Sequence, residues 1–194
     1  MKNPIDYDFK IRIIPSLLRE YGFHTGCLYS FIIQRSGTNG YAKETEERYT
    51  IPLFHFNFIS YPEYYLEDIE AVTVKDSTVI VDPTKFSEKV WKETFFHAPM
   101  TVAKWDGLIP AVILGSTMSR FLYLQEEEDW APDERLSLDV QELSNMLDLR
   151  LPSVITGIAI LRDLELMYPS RKYHIFNFRN IRFYIKELKR EPLK

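Results

Sequence analysis

Four histidines, one cysteine and a run of carboxylates are the residues of this 194-residue chain that most invite a catalytic reading. His24, His55, His97 and His174 are scattered, with no HExxH and no second ligand at i+3 or i+4, so they read as surface or packing histidines and not as a metal site. Cys27 lies one helical turn from His24, and a Cys–His pair can act as nucleophile and base. Its apolar neighbours favour an inert core thiol. Glu126-Glu127-Glu128-Asp129 supplies adjacent carboxylates without the spacing that acid–base work needs. There is no glycine-rich phosphate loop, nucleophile elbow or dinucleotide fingerprint. The expectation is therefore a non-enzyme with no cofactor.

Composition bounds the broad class. Hydrophobic residues make up 45% and charged residues 27% of the chain, which suits a folded protein and excludes fibrous or disordered classes. Apolar runs break within about ten residues, too short to span a bilayer. The start Met1-Lys2-Asn3-Pro4 carries no apolar signal core, and one cysteine permits no internal disulfide; both fit a cytoplasmic location. Net charge is −4, unevenly spread. Residues 1–149 hold 14 Lys/Arg against 24 Asp/Glu, whereas residues 150–194 hold 10 against 4. A basic end on an acidic body either faces a polyanion or docks on the body itself.

The elements that must position these groups divide near residue 100, into an N-terminal α/β part (1–100) for dimerisation or partner binding and a second domain (101–194). Phe9 to Ile33 reads as two helices parted at Gly22, and Ser36 to Gly40 as a loop. Tyr49 to Ile59 alternates with bulky aromatics and reads as a strand. Ala71–Val74 and Thr78–Val81 flank Lys75-Asp76-Ser77, a hairpin signal. Thr84 to His97 reads as a helix carrying Phe86, Val90, Trp91 and Phe95. Leu108 to Glu128 reads as a long helix. Ile14-Pro15-Ser16-Leu17-Leu18 also matches Ile109-Pro110-Ala111-Val112-Ile113, so either a diverged duplication or chance similarity relates the two parts.

The strongest local signal begins at Asp139, three residues before Glu142, the spacing of a capping box, with Leu138 and Leu143 placed for a hydrophobic staple. Val140, Leu143 and Leu147 share a helical stripe over residues 140–147. Asp148-Leu149-Arg150 makes a tight turn. Pro152 opens a second helix, where its missing N–H costs nothing, and Val154, Ile158 and Leu161 repeat at i, i+4, i+7, widened by Ile155. A strand reading of Val154–Leu161, rich in Val, Ile and Thr around Gly157, competes with the helix. Leu166-Met167-Tyr168 and Tyr173-His174-Ile175-Phe176 then bracket Pro169-Ser170-Arg171-Lys172 as strand, basic turn, strand. Asn180 stands to cap a last helix bearing Ile181, Ile185 and Leu188.

Leu136 to Tyr168 resembles the winged helix-turn-helix domains of bacterial and phage regulators and replication initiators. The rhythm runs from Val140-Gln141-Glu142-Leu143 through Leu161 to Leu166, with the Ile109-Pro110 helix as first helix. The glycine usual before the wing is absent, Glu165-Leu166 standing there instead. The implied fold class is α+β: a C-terminal winged helix-turn-helix and an N-terminal α/β part, with a diverged second winged-helix unit as one option.

The resemblance implies a homodimeric transcription regulator or DNA replication factor that binds double-stranded DNA. Arg150, Ser153, Thr156 and Gly157 of the second helix would face the groove, Arg171 and Lys172 would lie at the wing tip, and Arg179 and Arg182 would add phosphate contacts. Against this, the helix is poor in Arg, Lys, Asn and Gln, and Ile160 is expected outside. The alternative is an acidic tandem winged-helix assembly subunit, like those of chromosome-organising complexes, that uses the Ser153–Ile160 face on a protein partner. No membrane partner is expected.

Overall fold

The structure, a computed structural model, describes residues 10–38, 48–87, 90, 93–127, 139–169, 174–176 and 180–181. The chain is mixed α+β and divides into two compact units. One is Ile11–Phe95; the other comprises Met1–Lys10 and Phe96–Lys194.

The N-terminal unit starts with strand β1 (Lys10–Ile13), which the helical reading of Phe9 onward had absorbed. Helix α1 (Pro15–Tyr21) follows, opened by Pro15 and ended at Gly22, whose φ of 81° suits a residue without a Cβ. Helix α2 (Phe23–Thr38) carries the core residues Cys27, Leu28, Phe31, Ile32 and Ile33. It runs through Ser36 to Thr38, where a loop was expected. Ser36 is tolerated because its buried hydroxyl donates to Ile32 O at 2.9 Å. The two helices meet at Gly26, where a Cβ would stand 2.6 Å from Leu17 O. Ser30 completes the corner, accepting from Ile14 N at 3.1 Å and donating to Gly26 O at 2.7 Å.

Beyond α2 the unit is a three-stranded antiparallel sheet in the order β2 (Tyr49–Pro52), β4 (Thr78–Val81), β3 (Val72–Lys75). The hairpin between β3 and β4 is the expected one. Val74 pairs with Val79, and Asp76 and Ser77 both take positive φ (48° and 59°), as a two-residue hairpin turn requires.

The strand expected over Tyr49–Ile59 stops at Pro52. Leu53–Phe56 is a 3-10 turn, and further tight turns lead to the short helix α3 (Pro62–Leu66). Phe56 and Phe58 are buried edge-on against Phe31, at 5.4 and 5.2 Å between ring centres, while Phe54 is 69% exposed. A chain of tight turns has satisfied the same alternation that a strand would. The helix expected over Thr84–His97 also fails: Pro83–Lys85 is one 3-10 turn, Asp82 caps it through Thr84 N, and Phe96 enters a strand.

The second unit opens with β5 (Phe96–Pro99) and the short helix α4 (Met100–Trp105), then Gly107 at φ 103° and the long helix α5 (Leu108–Glu127). Gly115 lets α5 lie against β5: a Cβ there would be 2.3 Å from His97 O. After α5 come α6 (Val140–Leu147), α7 (Leu151–Asp163) and an antiparallel pair, β6 (Met167–Pro169) and β7 (His174–Phe176), with Met167 opposite Phe176.

The two units share one block. Gly22 and Gly107 stand 85 positions apart, and at that offset strand, short helix, glycine and long helix coincide. Burial coincides too. Ile11, Ile13 and Ile14 are buried like Phe96, Ala98 and Pro99, with Arg12 and His97 half-buried between them. Leu17 and Leu18 are buried like Val102 and Ala103, followed by exposed Arg19 and Lys104. The likeness of Ile14–Leu18 to Ile109–Ile113 is therefore out of register: Pro15 opens a short helix, whereas Pro110 lies in the first turn of a long one. After the shared block the units part, the N-terminal one into its sheet and the C-terminal one into two more helices.

Candidate functional site

The corner between α6 and α7 is built from its caps. Asp139 Oδ1 accepts from Gln141 N at 2.8 Å and Glu142 N at 3.2 Å, satisfying two open donors of α6. Glu142 pairs with Arg120 of α5 at 2.7 Å. Leu138, the other half of the expected staple, lies outside the described residues.

Asp148 ends α6 at φ 51°, and Leu149 N donates to Ser144 O at 3.0 Å. The buried Ser144 hydroxyl donates to Leu149 O at 2.5 Å, locking the three-residue turn from inside. Sequence reasoning passed over Ser144; its signal was a lone serine in an otherwise apolar stripe.

Helix α7 is a helix throughout, not a strand. Val154, Gly157, Ile158 and Leu161 form its buried stripe. This corrects the placing of Gly157, expected to face DNA. A Cβ there would lie 2.6 Å from Ile113 Cδ1 and 3.0 Å from Ile109 Cγ2, so the glycine is the point where α7 rests on α5. That rotation also reverses two isoleucines. Ile155, read as core, is 54% exposed, and Ile160, read as exposed, is half-buried.

Of the other expected contact residues, Arg150 is exposed at the start of α7, and Ser153 is half-buried, its N–H donating to Arg150 O at 2.9 Å. Thr156 is exposed, but its hydroxyl donates to Pro152 O at 2.9 Å. Arg162 pairs with Asp163 at 3.0 Å. Arg171, Lys172, Arg179 and Arg182 lie outside the described residues, as does any helix beyond Ile181. Asn180 donates to Glu165 O and Oε2 at 3.4 and 3.3 Å. Glu165 occupies the place of the missing glycine and takes its positive φ, 55°, while Leu166 N reaches back to Leu161 O at 2.9 Å. The outward face of α7 thus presents Leu151, Pro152 and Ile155, with charge at its two ends.

The residues that could do covalent chemistry are elsewhere. Cys27 is fully buried, and burial pushes its thiol well above the usual range, away from the reactive thiolate. His24 stacks on Tyr65 with ring centres 4.8 Å apart, and burial lowers its pKa. His55 stacks on Phe54 and lies 3.4 Å from Arg35 Nη2.

Among the described residues no group of three His, Cys, Asp or Glu could hold a metal ion. No described helix is long and apolar enough to cross a membrane. No protein-family model, curated protein or solved structure matches the chain significantly.

Proposed function

We propose that the C-terminal unit is a winged helix-turn-helix domain and that the protein is a non-enzymatic, cytoplasmic assembly subunit, with α7 docking on an apolar surface of a protein partner. The domain reading is supported by the element order: long helix, capped short helix, three-residue turn, second helix, two-stranded hairpin. The partner reading rests on one observation. Leu151 and Ile155, one turn apart, are 38% and 54% exposed on the helix that would enter DNA. Apolar side chains held in water on a rigid helix gain free energy by burial against another apolar surface, and read bases poorly.

A second reading, a homodimeric DNA-binding regulator or replication factor, is favoured by exposed Arg150 and by the surplus of Lys and Arg from residue 150 onward. One set of variants separates the two. A photo-cross-linking residue at position 155 captures a defined protein in cells, and Ile155→Asp weakens binding to that protein by about 2 kcal/mol, roughly thirtyfold in Kd. A salt-sensitive duplex mobility shift abolished by Arg171→Glu with Lys172→Glu, and indifferent to Ile155→Asp, would replace this reading with the DNA one.

A further inference from the structure

The N-terminal unit holds three aromatic rings in water within a short stretch of tight turns: Phe54 is 69% exposed, Tyr61 78% and Tyr64 70%. The stretch beneath them is firmly held. Phe56, Leu66 and Ile69 are fully buried, and Tyr65 is stacked on His24, with Tyr64 edge-on to it at 5.3 Å. The exposed rings are therefore displayed by an ordered scaffold. Tyr61 also sits in the left-handed region, φ 54° and ψ 55°, which disfavours a residue with a bulky side chain.

Along the sequence the charge beside the rings has one sign, while in space Arg35 of α2 reaches His55, which stacks on Phe54. From Tyr49 to Val74 the chain has no Lys or Arg, and its charged residues are Glu63, Glu67, Asp68 and Glu70, all exposed. Glu70 is paired with Lys85 at 3.5 Å, and Lys75 lies at the hairpin turn beside Asp76. Glu63, Glu67 and Asp68 thus set the sign beside Tyr61 and Tyr64.

We infer that Tyr61 and Tyr64, with Glu63, Glu67 and Asp68, form a docking surface for a Lys/Arg-rich segment of a partner protein. Ring faces attract ammonium and guanidinium groups, and the carboxylates pair with the same cations. Nucleic acid, which also stacks on rings, is repelled by these carboxylates. This surface is independent of α7 and of the proposal made for it.

Fluorescence anisotropy on the full chain tests the surface. The probes are a labelled peptide of alternating Arg, Lys and Gly, its Glu–Gly counterpart, and a single-stranded oligonucleotide. The basic peptide binds, more weakly as salt is added, and the other two do not. Tyr61→Asn with Tyr64→Ser weakens that binding about tenfold, and Glu67→Lys with Asp68→Lys does so at least as strongly, about tenfold or more. Ile155→Asp leaves it unchanged. Tyr61→Asn relieves left-handed strain and Tyr64→Ser removes one ring contact, small and opposing effects, so every variant remains folded at the assay temperature, as a thermal melt checks. Absent binding of the basic peptide, equal binding of the acidic one, preferred binding of the oligonucleotide, or affinity untouched by both double variants overturns the inference.

Discussion

His24 is half-buried between the edge of Phe23 and the face of Tyr65, and burial lowers its pKa. A folded-state value below the unfolded one makes the neutral ring a stabilising element above the unfolded pKa, and that contribution is lost as pH falls through the folded value. The melting temperature is thus expected to drop as pH falls below the ordinary histidine value of about 6.5, and His24→Phe to flatten that slope. A variant as pH-sensitive as the parent would place the titration elsewhere. Gly157 shows the same primacy of surroundings. Its missing side chain serves the approach of α7 to α5 and not the approach of a ligand.

The elements differ in how far their sequence announces them, and α6 is the plainest case. Asp139 accepts two backbone donors, so Asp139→Ala is expected to lower stability by about 1 kcal/mol, measured by the urea midpoint, whereas Asp139→Ser restores most of it. An unchanged midpoint would mean that the cap is idle. Around α6, cap, stripe, turn and Pro152 all agree, and the helix bounds are those expected from the residues alone. The hairpin at Asp76-Ser77 was equally legible.

What misled elsewhere was a local pattern with two structural solutions. Phe54, Phe56 and Phe58 alternate as a strand would, yet Pro52 ends the ladder and tight turns bury Phe56 and Phe58. Strands β1 and β5 have only four residues each, and Ile11 and Ile13 also fit the helical run that follows. Asp82-Pro83 is a true helix start, but it starts a single turn. For the candidate site, the helix was legible and its rotation was not. Which face turns inward depends on where α5 lies, and residue spacing alone left Ile155 and Ile160 exchanged.

At the scale of the whole molecule, one block of strand, short helix, glycine and long helix occurs twice. Neither Gly22 nor Gly107 would meet a steric clash on gaining a Cβ, so the backbone alone fixes these positions. Gly22→Ala and Gly107→Ala are therefore each expected to cost about 1–3 kcal/mol from strain at positive φ. Ala at exposed Arg19 or Lys104, the matching surface positions, costs nothing measurable in the same thermal melts. Loss at one glycine and not the other would show that the two bends are not mechanical equivalents.

The shared register also permits a splice that keeps the order of the elements. If residues 23–107 are cut out, Gly22 joins Leu108, and the shortened chain still reads strand, short helix, bend and rod before passing into α6. The contact between helices is not carried over, because Ala111 then stands where Gly26 met Leu17 O. Such a deletion shortens the polypeptide in phase and leaves that one helix contact to be remade.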